Sequence, residues 1–383
     1  MSYAYRFNAP AVEQRFYISP NYSDQVYNYG YNNVYPQMMQ QYMFASAVCK
    51  SAVGKLVDFS VGDGFEDKVL ADMVFNRQGF DGNQLLRKVA SQKSIFNTVA
   101  LHINYNALYE ISEVRIIPVP YCRIADKDTK YAGKIAVWNN WAGEASYKRN
   151  SNNKENIHYL HTYDPRPEVV EQQIEEAGGF AEYRGQVLYM HFDDYQIYAH
   201  ATFDSVLDDV ITDAAFAMYR KKNVKSSFSA SGILKYNSKV ESEEERVQIM
   251  NEIQQYQGDE DAGNVIVVFP TEGEIEGQSP IEFTPIQPNN TDTLYVNQEK
   301  SVNSRIIGAY NQPRALHTFF DDSGIYNQDL LMTAWTYYNE QTRKDRRIIE
   351  EVFEMLVPFM GKDEPSSYAI TPQRFGNQQT ITT

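Results

Sequence analysis

The side chains that could bind a metal ion gather between residues 158 and 194. Ligands on one face of a helix are spaced i, i+4, and ligands on one face of a strand are spaced i, i+2. The i, i+3 spacing at the start of this stretch fits neither, so we expect ordinary surface histidines and predict no metal ion and no other cofactor. The residues considered are His158, His161, Asp164, His191, Asp193 and Asp194.

The sequence also lacks the motifs typical of nucleotide binding and of nucleophilic catalysis. Gly54-Lys55 lacks the Gly-x-x-x-x-Gly-Lys-Ser/Thr loop that cradles phosphates. No Gly-x-Ser-x-Gly elbow or Cys/His nucleophile pairing occurs. Cys49 and Cys122 match no ligand spacing and are interpreted as buried thiols in a reducing cytoplasm. The sequence therefore predicts no catalytic residue and no enzyme activity.

Composition limits the remaining function classes. The 383 residues carry a formal charge of −15, which argues against a dedicated nucleic-acid binder because such proteins usually present a basic face. A hydrophobic content of 43% excludes wholesale disorder, and no apolar run is long enough for a membrane span. The start, MSYAYRFNAP, has no secretory signal. The 29 tyrosines suit large, half-wet protein interfaces.

One basic run stands out against this acidic background. It could contact nucleic-acid phosphates, or it could be a solvated helix end whose charge balances the helix dipole. Both interpretations stay open. The run comprises Arg220, Lys221, Lys222 and Lys225, with Lys235 and Lys239 further on.

Hydrophobic periodicity and breaker residues place these side chains on an α+β chain. Helical patterns are predicted at 37–57, 82–106 and 204–224, and four strand-like runs lie between 113 and 192. A capping box of Ser242 and Glu245 begins a helix predicted at 242–257. Strands are predicted at 232–236, 264–269 and 281–286.

Two long helices end the pattern. The first begins at Thr291 or Asp292, closes at Gly308 and cannot continue past Pro313. The second runs from Asn327 or Gln328 to Leu356, and its polar middle at 341–347 predicts a bend. The loop between them is unusually apolar, which indicates a surface that contacts something.

The string I-I-G-A-Y-N-Q-P-R-A-L at 306–316, followed by a loop and a long helix, resembles the core of tailed-phage portal proteins, the head–tail connectors. The order of the upstream elements resembles that family across residues 45–357. The resemblance implies a portal fold: an α/β wing body, two stem helices flanking a small α/β clip, and a long helix after a tunnel loop. The implied segments are 1–36 (extended N-terminal arm), 37–203 (wing), 204–225 (stem helix), 226–288 (clip), 289–311 (stem helix), 312–326 (tunnel loop), 327–360 (long wing or crown helix) and 361–383 (short C-terminal tail).

The same resemblance implies a function. The chain would form a ring of about twelve subunits at one capsid vertex, through which double-stranded DNA is packaged and ejected. The implied partners are the major capsid protein, the terminase large subunit and a head–tail adaptor, and no membrane. The implied location is the virion, with assembly in the host cytoplasm. Two residue sets follow from it: a channel-lining tunnel loop of Leu316, His317, Thr318, Phe319 and Phe320, and phosphate contacts from Arg220, Lys221, Lys222, Lys225 and Arg305.

Three alternatives remain at this stage. The chain could be another ring-forming tail or baseplate protein of a virion, which would lack a clip between two channel helices. It could be an enzyme with a carboxylate and histidine pocket. The aromatic loop could also pack into its own subunit rather than line a channel.

Overall fold

In the computed structural model, the chain divides into two compact units. The first comprises Met1–Val210 and Ser304–Thr383, and the second comprises Ile211–Asn303. The first contains a six-stranded sheet and the second a three-stranded sheet. The structure describes residues 16–141, 156–193, 196–226, 232–236, 244, 247–248, 251, 265–268, 281–285, 292–317 and 328–376.

Nine α-helices have their bounds in the described residues. They are α1 (Tyr35–Ala45), α2 (Ala47–Val61), α3 (Lys68–Asp72), α4 (Gly82–Phe96), α5 (Pro167–Ala177), α6 (Leu207–Ser226), α7 (Asp292–Ala309), α8 (Gln328–Gln341) and α9 (Arg343–Leu356). Short 3-10 turns occur at Tyr31–Asn33, Val119–Tyr121, Asp204–Val206, Arg314–Leu316 and Val357–Phe359.

The strands are short, and most belong to one of the two main sheets. They are β1 (Pro20–Asn21), β2 (Val26–Tyr27), β3 (Gly64–Phe65), β4 (Thr98–Tyr105), β5 (Ile111–Ile116), β6 (Cys122–Ile124), β7 (Lys134–Val137), β8 (His158–Thr162), β9 (Gln186–His191), β10 (Gly232–Tyr236), β11 (Val265–Val268), β12 (Ile281–Pro285) and β13 (Ile370–Thr371). Helices and sheets together confirm the predicted α+β class.

The larger sheet has the order β5-β4-β9-β8-β7-β6, and all its pairs are antiparallel except β8 with β9. Strand β4 is buried along most of its length, and helix α4 buries Leu85, Leu86 and Val89. An Asp81–Gln84 capping box begins α4. Burial of these apolar side chains is the main source of stability in this body.

The prediction of one helical stretch over 82–106 was wrong at its second half. Helix α4 ends at Phe96, and Asn97 adopts the left-handed conformation with φ of 50°. Residues 98–105 then form β4. The apolar residues of this run are dense enough to satisfy both helical and strand periods, so spacing alone did not reveal the break.

The N-terminal segment, 1–36, is predicted to be an extended arm that lies on a neighbouring subunit or on the body. Its described part folds onto the body: β1 and β2 pair as a hairpin, and Val26 bridges to Ala125. Tyr29 is buried and stacks on Tyr198 with ring centroids 4.1 Å apart. Aromatic burial of this kind offsets the entropy of ordering a segment with few aliphatic residues.

In the second unit, β10 lies between β11, its parallel neighbour, and β12, its antiparallel neighbour. The predicted strand at 232–236 is confirmed, and those at 264–269 and 281–286 are confirmed with slightly shorter bounds. The parallel pair requires a crossover connection. Residues 244, 247–248 and 251 are helical, at the place of the helix predicted at 242–257, whose other residues lie outside the described part.

Candidate functional site

The best-defined polar cluster lies where α7 ends and the chain turns toward α8. Helix α7 continues through Gly308, where closure was predicted, to Ala309. Asn311 then adopts a left-handed φ of 52°, and the Gln312 amide donates to the carbonyl of Ile307 at 3.2 Å. Gln312 follows the left-handed Asn311, and its bond reaches back to the last turn of α7. The bond thereby pairs a carbonyl that would have no partner at the helix end. The turn before the predicted tunnel loop is therefore fixed by its own backbone.

Gln312 connects three segments at this turn. Its Nε2 donates to the Ala52 carbonyl of α2 and to the Tyr338 hydroxyl of α8, both at 2.8 Å. Its Oε1 lies 2.8 Å from Nε2 of His317. Gln312 and His317 are both buried. A buried amide with all three contacts satisfied specifies one arrangement of the helices around it.

Leu316 lies in the interior beside this cluster. It packs in a buried apolar group with Phe59, Ala334 and Tyr338. Because Leu316 and His317 are covered by their own chain, they have little surface to offer to DNA. Their burial therefore argues against the channel role predicted for Leu316 and His317. Thr318, Phe319 and Phe320, the rest of that prediction, lie outside the described residues.

Burial also affects His317 electrostatically. Its pKa is lowered to about 4, mainly by removal of the imidazole from water and also by the charge of Lys55. His317 is thus neutral at pH 7. The Gln312 contact then has Nε2 of the imidazole as the donor.

The predicted bend in the last long helix is confirmed at Thr342. Helix α8 ends at Gln341 and α9 begins at Arg343, with Thr342 at φ −84° and ψ 2°. Arg346 Nη1 donates to the Phe59 carbonyl at 3.0 Å and to Thr342 Oγ1 at 2.9 Å, and Nη2 donates to the Asn339 carbonyl at 2.7 Å. The buried guanidinium therefore holds the bend against α2.

The basic residues predicted to contact phosphate lie on the two long helices that lead into and out of the second unit. In the first unit, Arg305 of α7 pairs with Asp209 of α6 at 3.0 Å. In the second unit, Arg220 of α6 pairs with Glu299 of α7 at 3.0 Å. Both arginine side chains are more than half exposed, so these pairs are weak and can exchange partners.

The lysines of the same run are only partly described. Lys221 is exposed on α6. Lys222 and Lys225 belong to the same helix, and their side chains lie outside the described part. Each described arginine of the set is thus partly neutralised by a carboxylate.

The histidine stretch does not converge on one point. His158 Nδ1 lies 2.8 Å from Nη1 of Arg184, and burial together with that cation lowers its pKa. Burial and Lys134 lower the pKa of His161, which lines a polar cleft of about 260 Å³. Within the described residues, no three His, Cys, Asp or Glu side chains are grouped as metal ligands would be.

Two further sequence expectations concern thiols and membranes. Cys49 and Cys122 are both buried free thiols, and burial raises the pKa of Cys122 to about 12. Cys122 is therefore not a reactive thiolate at pH 7. In the part of the chain that the structure describes, every helix is too short or too polar to cross a bilayer.

Sequence reasoning missed a second buried cation, Arg123 of β6. Its guanidinium donates to the Asn33 side chain and carbonyl and to the carbonyls of Pro120 and Cys122. It also lies 5.2 Å from the ring centroid of Trp141. Arg123 thereby fastens the N-terminal segment to the sheet. A basic residue inside an apolar strand pattern was the available signal.

Comparison with known proteins found similarity among solved structures. No protein-family profile and no curated protein matches the chain. The neck of a native gene transfer agent particle, computed with C12 symmetry, matches with a TM-score of 0.49 and 13% identity, over 85% of this chain and 82% of that one. The virion of a native gene transfer agent particle matches with a TM-score of 0.47 and 13% identity, over 78% and 74%.

A crystal structure of an HK97-family phage portal protein from Corynebacterium diphtheriae matches with a TM-score of 0.43 and 12% identity. That match covers 78% of this chain and 85% of the other. The solved structures similar to this chain thus include a member of the family that the sequence resembles. At such identities and TM-scores, the likeness assigns no family to the chain.

Proposed function

We propose that this chain is a portal-type subunit that assembles into a ring and forms a passage for double-stranded DNA. The observation that carries the proposal is the order of described elements. Helix α6 leads into a separate α/β unit, α7 leads out of it, and a fixed turn and the bent pair α8–α9 follow. An α/β unit between two long helices is the arrangement that the resemblance implied, and this agreement supports the proposal.

The pairing of the two helices supports this reading. Both ion pairs described above join α6 to α7, one in each unit. A passage for DNA needs surfaces that do not hold phosphate strongly, because many strong cationic contacts around a ring would retain the nucleic acid. Carboxylate-paired arginines on a chain of net charge −15 meet that requirement.

In this proposal the subunit performs no chemistry. The ring sits at one vertex of the capsid, contacts the major capsid protein, and receives the terminase motor and later a head–tail adaptor. Residues 226–288 serve as the clip that meets the motor and the adaptor. The motor is a separate protein, in keeping with the missing phosphate-binding loop in this sequence.

Light scattering of the purified full-length chain tests ring formation. We expect a single large species that persists across salt concentrations, as heterologous contacts that close into a ring would give. A stable monomer or a twofold dimer under all salt conditions would overturn the proposal.

The narrowest passage is assigned to the segment after His317. Phe319 and Phe320 would offer weak apolar contact, while Asp321 and Asp322 would repel phosphates. Deleting residues 318–323 should leave the ring intact, because the turn before them is held by hydrogen bonds from Gln312 to Ala52 and Tyr338. The same deletion should impair packaging or retention of the genome. Particles that fill and keep their DNA normally would show that the constriction lies elsewhere.

A further inference from the structure

An apolar surface is exposed at one end of the larger sheet. Leu108, in the turn after β4, is 73% exposed, and Phe180, just after α5, is 46% exposed. Tyr109 joins them: its ring stacks on Phe180 at 6.2 Å between centroids, and its hydroxyl donates to Glu171 at 3.0 Å. We call Leu108, Tyr109, Phe180 and the adjoining α5 the sheet-end surface.

Helix α5 carries charges that its own dipole opposes. It contains four glutamates and no basic residue, and its last turn includes Glu175 and Glu176. A helix C-terminus is negative, so carboxylates there are unfavourable, and Glu171 and Glu175 at i, i+4 repel each other. These glutamates are exposed. A cation brought by another molecule would relieve both effects.

A second surface has the opposite arrangement. Phe44, at the end of α1, is 57% exposed, and the Lys50 ammonium lies 5.5 Å from the centroid of its ring. Lys50 stands in the first turn of α2, where the helix dipole is positive and a cation is unfavourable. An incoming carboxylate would be favoured by both the lysine and the helix end. We call Phe44 and Lys50 the helix-corner surface.

The two surfaces lie toward opposite ends of β4. The sheet-end surface follows Tyr105, the last residue of that strand. The helix-corner surface is connected to the other end of β4 by a series of side-chain contacts. Cys49, beside Lys50, hydrogen-bonds with Tyr310, whose hydroxyl lies 3.0 Å from that of Thr202. Thr202 in turn donates to the carbonyl of Ser94, shortly before β4 begins. An eight-residue strand spans roughly 25 Å. Two different, distant patches are what a head-to-tail contact requires.

We infer that the sheet-end surface of one copy docks on the helix-corner surface of a second copy of this chain. Glu175 and Glu176 face Lys50 and the start of α2, while Leu108 and Phe180 cover Phe44. This inference rests on the proposed ring and names the surfaces that close it. The two surfaces are complementary in charge as well as in apolar area. The charges determine that the sheet-end surface meets a helix-corner surface and not a second sheet-end surface.

Charge reversal in the full-length protein tests this contact. Glu175→Lys and Lys50→Glu should each raise the protein concentration needed for half-maximal ring assembly by about tenfold or more, as for opposed charges at an interface. The double variant should recover most of that loss, because the pair is restored with its signs exchanged. Glu66→Lys, which reverses an exposed carboxylate outside both surfaces, should assemble like the wild type.

Thermal unfolding of the dissociated subunits separates this effect from misfolding. Both single substitutions place favourable charges at helix ends, so the variant subunits should be at least as stable as the wild type. Stable subunits that fail to form rings support the inference. Single variants that assemble normally, or a double variant no better than the singles, would overturn it while leaving the ring itself in place. A wild-type chain that never assembles would instead remove the proposed function.

Discussion

The buried arginines and the exposed arginines of this chain have different partners. Arg123 and Arg346 lie in the interior and donate mainly to carbonyl oxygens. Arg220 and Arg305 lie on α6 and α7 with more than half of each side chain exposed, and each pairs with a carboxylate in the described part of the chain. The interior guanidiniums fix one arrangement of the chain, whereas the exposed ones are free to exchange partners. Substitution of an interior arginine should therefore lower the free energy of unfolding. Substitution of an exposed arginine should instead change contacts with other molecules.

The largest expected effect is at Arg123. Replacing it by Met leaves several buried acceptors without a donor, each costing about 1–3 kcal/mol, so we expect a loss of about 3 kcal/mol or more in the free energy of unfolding. Denaturant unfolding followed by tryptophan fluorescence measures it, because Trp141 adjoins the guanidinium. Arg87→Met is the matched control, since Arg87 has an exposed pair with Asp58. Equal losses of unfolding free energy in the two variants would contradict the distinction between buried and exposed arginines.

The second effect concerns His317 and pH. Its folded pKa, about 4, lies below its ordinary value of 6.5, so the folded chain binds fewer protons than the unfolded chain between these values. The stability that it contributes is complete above pH 6.5 and is lost as the pH falls toward 4, in total about 3 kcal/mol. His317→Asn keeps a donor toward Gln312 without titrating. The wild type should lose stability over this window more steeply than the variant, and parallel curves would contradict the assignment.

A smaller loss is expected at the buried bend. Arg346→Met removes the donors to the carbonyls of Phe59 and Asn339, and we expect a decrease of about 2 kcal/mol in the free energy of unfolding. Arg347→Met is the neighbouring control, because the Arg347 side chain is 55% exposed and its glutamate partners among the described residues lie on the same helix. A control that destabilises as much as Arg346→Met would mean that the bend is not held by the buried guanidinium.

The smallest effect on stability should come from the exposed pairs. Arg220→Gln and Arg305→Gln should unfold like the wild type, because exposed ion pairs contribute little. Under the proposed function they should alter only the salt dependence of DNA passage, measured as DNA retained in particles at increasing ionic strength. A clear drop in melting temperature would place these arginines with the structural group instead.

Much of the fold followed from local patterns. Pro313, the helical pattern that begins at 82 and the apolar strands at 232–236, 264–269 and 281–286 carry signals that depend on near neighbours in the chain. Asn97 shows the limit of prediction from local patterns, because a single left-handed residue separates a helix from a strand within one apolar run.

The buried polar contacts could not be predicted in the same way. Gln312 joins residues 260 positions and 26 positions away, Ala52 and Tyr338. Arg123 reaches Asn33, which lies 90 positions earlier. Such partners are set by the packing of whole elements, and the types of these residues alone suggest a polar surface. Arg220 was found from the sequence because its charge run is visible without knowledge of the fold, whereas Arg305 was named through the family resemblance.

The most direct test of the central claim is electron microscopy of the purified full-length chain, with class averages viewed along the particle axis. We expect closed rings with a central opening and one rotational symmetry, built from identical head-to-tail contacts. Open filaments, twofold dimers or single subunits at concentrations where the protein is folded would contradict it.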